Sequence, residues 1–86
     1  MLVAGVVKDR AGKPVAGARV YFTSGPGSFP DIAGLTDQRG AFALAAPGAG
    51  NYQLECAAEG YATANVSVAV SSGQDARVTI SLESKA

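Results

Sequence analysis

The chain has 86 residues, with seven basic and seven acidic side chains that cancel, and it contains no histidine. A chain of this length has room for one small domain, so we interpret residues 1–86 as a single domain. Balanced charge without a Lys/Arg cluster argues against nucleic acid as a partner and against a polybasic membrane patch. Eleven glycines, no tryptophan and abundant small and β-branched residues favour short strands joined by tight turns, so we expect an all-β fold.

Cysteine usage and hydropathy bear on the compartment. Cys56 is the only cysteine, so no intrachain disulfide can form and none indicates a redox compartment. No stretch reaches the roughly 18 apolar residues of a membrane span, and "MLVAGVV" lacks the basic start and cleavage site of a signal peptide. We therefore expect no direct membrane insertion and read residues 2–8 as a strand. Because Met1 immediately precedes that strand, we expect a domain excised from a larger exported protein, located at the cell surface, outside the cell or in the periplasm.

Seven segments have the character of short strands, and in most of them apolar residues alternate with polar ones, as in half-buried strands. The segment near Ile32–Thr36 is predicted to be the shortest. Turn signals separate the segments at the spacing typical of a β-sandwich, which is the architecture that we predict. The predicted core-facing residues of the other six segments are, in chain order, Val3, Gly5 and Val7; Ala18, Val20 and Phe22; Phe42 and Leu44; Tyr52, Leu54 and Cys56; Val66, Val68 and Val70; Val78, Ile80 and Leu82.

One segment has a competing helical pattern. Leu54, Ala57, Ala58 and Tyr61 also satisfy the i, i+3, i+4, i+7 spacing of a helix. Gly60 interrupts that pattern, and the window is short and lies among β-patterned neighbours. The strand is therefore the preferred interpretation, with the helix as its alternative.

Two connections stand out by composition. "SGPGSFPDIAG" at 24–34 has three glycines and two prolines, which is typical of a long loop. "TDQRG" at 36–40 is predicted to be a tight turn, because Asp37 can accept hydrogen bonds from the amides ahead of it and Gly40 can adopt a left-handed conformation.

Three stretches together resemble a known family: "GVVKDRAGKPVAGARVYF" (5–22), "TDQRGAFAL" (36–44) and "APGAGNYQLECAAEGYAT" (46–63). Their order and spacing resemble the carboxypeptidase regulatory-like domain, a prealbumin-like, Ig-like Greek-key sandwich of seven strands. The resemblance implies a non-catalytic accessory module that acts as a structural spacer or as a protein-interaction domain. The implied partners are neighbouring domains of the parent protein or another protein.

The residue types required by common catalytic and metal sites are missing or dispersed. Without histidine no Ser–His or Cys–His pair can form, so we predict no catalytic residue and no cofactor. Asp31, Asp37 and Asp75 are expected in loops at one end of the domain, but they lack the dense oxygens of a calcium loop, and we assign no metal. The inward phase of Cys56 predicts a buried thiol.

A candidate binding surface is predicted around Phe29, Asp31 and Tyr21. Phe29 lies on the long loop, where it either binds a partner or folds back over an end of the sandwich. Leu2, Val6 and Tyr21 are predicted to face outward on the first two strands and to form a docking face or a dimer patch. The alternative function is a carbohydrate-binding module that uses Phe29 and surface tyrosines for stacking, with Asn51 or Asp31 as polar partners.

Overall fold

The structure is a computed structural model that describes residues 2–25 and 33–84. It confirms the all-β prediction, and the described residues contain seven strands and no helix. The helical alternative is wrong because Leu54 lies within a strand that runs to Ala57, and residues 59–60 form a turn. The strands are β1 (Leu2–Asp9), β2 (Arg19–Ser24), β3 (Gly34–Leu35), β4 (Ala41–Ala45), β5 (Gly50–Ala57), β6 (Ala64–Val70) and β7 (Ala76–Leu82).

The strands form two sheets of unequal width. One has three strands in the order β4-β1-β7, and the other has four in the order β3-β2-β5-β6. Within the narrower sheet β1 pairs antiparallel with β4 and parallel with β7, whereas the pairs of the wider sheet are all antiparallel. The chain crosses from one sheet to the other after β1, β3, β4 and β6, which gives the expected seven-stranded sandwich.

The core lies between the two sheets and is built from the residues that the alternation selected. Tyr52, Leu54, Ile80 and Leu82 are among its fully buried side chains. The ring of Tyr52 packs against that of Phe22, with 4.9 Å between the ring centroids. Of the predicted inward residues, Val66 and Val78 are only partly buried and pack at the margin of the core.

At Gly5 the neighbouring strand and the core leave no room for a side chain. A Cβ at this position would collide with the backbone carbonyl oxygen of Val78 and would lie 3.1 Å from Cε1 of Phe42. Glycine is therefore required here by space, because the parallel β1–β7 pair and the Phe42 ring leave no volume for a side chain.

Candidate functional site

The carboxylates of Asp9 and Asp37 bind the backbone of the turns in which they lie. Oδ1 of Asp37 accepts hydrogen bonds from the amides of Arg39 (2.8 Å) and Ala41 (2.9 Å). Oδ1 of Asp9 accepts the equivalent pair from Ala11 and Lys13, both at 2.9 Å. The hydrogen bonds from Ala41 and Arg39 hold the pKa of Asp37 below its usual range. Both aspartates therefore stabilise turns, as predicted for Asp37.

Thr36 has a structural role that the sequence analysis missed. Its buried hydroxyl donates to the carbonyl of Val15 (2.7 Å) and accepts from the amide of Ala18 (2.9 Å). Its own amide donates to the carbonyl of Ala18 (2.9 Å), and its carbonyl accepts from the amide of Gly17 (3.0 Å). The sequence signal that could have revealed this role is the position of Thr36 directly before Asp37. Hydrogen bonds from the "TDQRG" segment therefore fix the β1–β2 connection against the start of β4.

Asp37 and Asp75 do not lie in loops at the same end of the domain, so this prediction is wrong for both. The Asp75 carboxylate accepts a hydrogen bond from the amide of Leu2 at the start of β1 (2.9 Å). The Asp37 turn instead contacts the far half of β1, where the amide of Val7 donates to the carbonyl of Gly40 (2.8 Å). Since the strand from Leu2 to Val7 spans about 16 Å, the two carboxylates lie toward opposite ends. Asp31 lies outside the described residues, among which no group of three His, Cys, Asp or Glu side chains could hold a metal ion.

Cys56 is fully buried in the core, as the alternation predicted. Burial raises the pKa of its thiol, since the charged thiolate is poorly solvated in an apolar interior. It pairs across the wider sheet with Val20, so it occupies the place of a small core hydrophobe.

Of the three predicted binding residues, only Tyr21 lies within the described part of the chain; Phe29 and Asp31 lie outside it. Tyr21 is half-buried on the outer face of the wider sheet, where its hydroxyl donates a hydrogen bond to the carboxylate of Glu55. This hydrogen bond, together with partial desolvation, raises the pKa of the Tyr21 hydroxyl. Alongside it, Nε2 of Gln53 donates to the hydroxyl of Ser67 (2.7 Å). Tyr21 thus belongs to a polar, hydrogen-bonded outer face.

The predicted grouping of Leu2, Val6 and Tyr21 on one docking face is also wrong. Leu2 and Val6 lie on β1 in the narrower sheet, whereas Tyr21 lies on β2 in the wider one. Strand alternation could identify all three as outward-facing, but it does not reveal which strands share a sheet. The three residues therefore point out of opposite sides of the sandwich.

The outer face of the narrower sheet is apolar where β1 pairs with β4. Its cross-strand pairs are Leu2 with Ala45, Ala4 with Ala43, and Val6 with Ala41. We call these six residues the alanine face. Leu2 is 45% exposed, and the remaining five side chains are half-buried or exposed. Between Ala4, Val6 and Ala41 the face has a shallow depression edged by Arg77 and Thr79.

The tyrosines do not line up as a single stacking platform. Tyr52 is fully buried, and its hydroxyl donates to the carbonyl of Gly48 (2.7 Å). Tyr61 is half-buried on the connection from β5 to β6, where it packs against the core margin and bridges to Ser84. On the outer face of the wider sheet, Tyr21 is the tyrosine available for contact.

Comparison with protein families gives the same assignment as the turn signatures. The family model described as carboxypeptidase regulatory-like domain matches residues 3–83. The chain belongs to the carboxypeptidase regulatory-like domain family. The match spans every strand from β1 to β7 apart from the first residue of β1. A search of curated proteins found no match.

Solved structures share the fold at low sequence identity. The chain is similar to a chain in an N-terminal interface mutant of the type II cohesin–X–dockerin complex from Acetivibrio cellulolyticus, with 19% identity and a TM-score of 0.70, covering 98% of this chain and 58% of that one. It is similar to the Bacillus anthracis TIE protein, with 16% identity and a TM-score of 0.72, covering 96% and 16% respectively.

A third similar structure has a domain of matching size. It is the Caf1A usher C-terminal domain, with 11% identity, a TM-score of 0.57 and full coverage of both chains. Conserved hydrophobic clusters on the surface of that domain are important for F1 antigen assembly. The chain spans less than two thirds of the length of the first two relatives. At sequence identities this low, these likenesses show the β-sandwich fold alone. No helix among residues 2–25 and 33–84 is long and apolar enough to cross a membrane.

Proposed function

We propose that the domain is a non-enzymatic β-sandwich module that acts as a structural spacer or protein-interaction domain in a larger exported or cell-surface protein. Membership of a family described as regulatory-like supports this role. The turn carboxylates support it as well, because Asp9 and Asp37 accept hydrogen bonds from the backbone amides of their own turns.

The observation that carries the proposal is the alanine face. An antiparallel sheet with one solvated face normally alternates apolar residues inward with polar residues outward. The β1–β4 pair is apolar on both sides, which is typical of a sheet that is covered on both sides. Short alanine side chains also allow another layer to approach closely, at the roughly 10 Å spacing of packed sheets.

The occupant that we propose for the alanine face is a neighbouring domain of the same polypeptide. Sandwiches of this fold occur within longer chains, since the chain spans 58% and 16% of the first two similar structures. Surface hydrophobic clusters matter for assembly in the Caf1A usher C-terminal domain, which has the same fold. The module would then hold its neighbour through an apolar sheet face.

Cysteine labelling of the parent polypeptide and of this 86-residue chain tests the proposal. Ala43→Cys places a thiol on the alanine face, and Ser67→Cys places a matched thiol on the outer face of the wider sheet; the buried Cys56 gives a low background. We expect both thiols to react with maleimide in this chain, but only that of Ser67→Cys to react rapidly in the parent. Equal reactivity of Ala43→Cys in both contexts would contradict the proposed docking, and turnover of peptides or esters by the purified chain would contradict the non-enzymatic role.

Carbohydrate binding is a second candidate, favoured by the polar outer face of the wider sheet. Tyr21, Asn51, Gln53 and Ser67 lie there on three adjacent strands, giving an aromatic ring beside amide and hydroxyl groups. A glycan array tests this candidate, with binding expected to be lost in Tyr21→Ala and kept in Tyr61→Ala. Binding that survives Tyr21→Ala would exclude this face as the sugar site.

A further inference from the structure

The two sheets cover each other unevenly. Three strands face four. The burial of side chains at the two long flanks of the sandwich shows which flank lacks an opposing strand. On the flank of β4, the inward residues Phe42 and Leu44 are 6% and 7% exposed. On the flank formed by β6 and β7, which we call the β6–β7 flank, inward apolar residues remain half-buried, and these are Ala64, Val66, Ala76 and Val78.

The strand β7 has a free edge at this flank. It pairs with β1 on one side, and within residues 2–25 and 33–84 no strand pairs along its other side. Every second residue of such an edge directs its N–H and C=O groups away from the sheet, where they can pair with another strand. Just beyond the end of β7, the connection from β5 to β6 already pairs with the chain in this way. The amide of Ala62 donates to the carbonyl of Glu83 (2.8 Å), and Tyr61 bridges to Ser84.

We propose that the β7 edge receives one extended strand from a partner protein, hydrogen-bonded along Ala76–Leu82. The added strand makes the narrower sheet four strands wide, in the order β4-β1-β7-partner, and places four strands over four. This inference rests on the proposed interaction role and names the kind of partner, but it uses a surface distinct from the alanine face. A groove between the start of β6 and the end of β7 leaves the edge open at Ser81.

Two other arrangements fit the flank less well. A strand added to the edge of β6 would give five strands over three, and its inward side chains would face no opposing strand. A second copy joined through its own β7 would bring the two wider sheets together at their β6 strands, because β6 extends past the narrower sheet. A single strand covers Val66 and Val78 without this overlap.

The flank also specifies the chemistry of the occupant. Apolar residues at every second position would cover Val66 and Val78, while the alternate positions would face solvent beside Arg77, Thr79 and Ser81. Arg77 is exposed and forms no hydrogen bond or ion pair with another described side chain. Opposite charges facing each other across strands stabilise a pair, so an aspartate or glutamate opposite Arg77 is expected.

A tethered peptide tests the proposal. The probe is a seven-residue segment of alternating valine and threonine with one glutamate, fused to the C-terminus through a Gly/Ser linker long enough to reach either end of β7. The matched control carries proline at each position whose amide would face β7, because proline donates no hydrogen bond. We expect the probe, and not the control, to slow amide hydrogen exchange along β7 at least tenfold. Arg77→Glu should reduce this protection about two- to fivefold, and Arg19→Glu on the opposite face should leave it unchanged.

Several results would overturn the proposal. Equal protection by the proline control, protection of β6 and not of β7, or a β7-dependent dimer in light scattering would each do so. The cysteine-labelling result at Ala43 is independent of these measurements. A failure of strand addition with Ala43→Cys still protected in the parent would refute this inference alone and leave the proposed function standing.

Discussion

Gly40 offers a direct test of the turn geometry, through Gly40→Ala compared with Gly12→Ala. Both glycines have a positive φ, 76° for Gly40 and 84° for Gly12. A Cβ at Gly12 would meet no atom within 4 Å. A Cβ at Gly40 would collide with the backbone carbonyl oxygen of Val7 and would lie 3.3 Å from both Cβ of Pro14 and the amide nitrogen of Val15.

The magnitudes follow from these contacts. A left-handed alanine costs about 1–2 kcal/mol, which is the whole expected effect of Gly12→Ala. Gly40→Ala adds the backbone collision and the loss of the bond from the Val7 amide to the Gly40 carbonyl (2.8 Å), about 1 kcal/mol for the bond alone. We expect a total near 3–4 kcal/mol, and since each 1 kcal/mol shifts the Tm of a domain this size by roughly 4–8 °C, the two variants separate clearly. Urea unfolding followed by circular dichroism measures the stability of both variants. Equal free energies of unfolding would refute the close packing of the Gly40 turn against β1.

Three further predictions concern other parts of the scaffold. Thr36→Val should destabilise the domain by about 2–4 kcal/mol, because it leaves the Ala18 amide without its hydroxyl acceptor, whereas Thr36→Ser should lose about 1 kcal/mol; similar urea midpoints for the two would show that the hydroxyl is dispensable. Val68→Asp should cost more than about 3 kcal/mol, since Val68 is only 8% exposed and the carboxylate would have no partner there; a wild-type Tm would show that the register of β6 is wrong. The pKa of Asp37 is lowered in the folded state, so its stabilisation is present above the unfolded pKa and is lost as the pH falls below about 4. The difference in urea midpoint between wild type and Asp37→Asn should therefore shrink on acidification, and a constant difference from pH 6 to pH 3 would contradict this.

Local patterns predicted the inside and outside of the six longer strands well. Side chains alternate across a strand, so the sequence places Val20 inward and Tyr21 outward whatever lies next to the strand. The turn residues were equally accessible, because Asp37 acts on amides two and four positions along the chain. Family membership agreed with both, since the turn signatures that resemble the family are local as well.

The assignment of strands to sheets was not accessible in the same way. Leu2 and Tyr21 are both outward-facing, but whether they share a face depends on pairings between residues distant in sequence. The same limit explains the mistaken grouping of Asp37 and Asp75, which are close to different parts of β1. It also explains Thr36, whose hydroxyl partners Val15 and Ala18 lie about twenty residues earlier in the chain.

The strength of strand addition at β7 can be bounded from the same contacts. Covering the exposed parts of Val66 and Val78 would stabilise the complex by at most about 1 kcal/mol each. Several new backbone hydrogen bonds add roughly 0.5–1.5 kcal/mol apiece. Association and the ordering of a flexible strand oppose this with about 4–15 kcal/mol, so a free flexible peptide is expected to bind weakly. A short tether supplies a millimolar effective concentration, which is why the probe is fused. A natural partner must therefore present its strand already extended, at the edge of a folded sheet, or hold it close to β7 through a second contact.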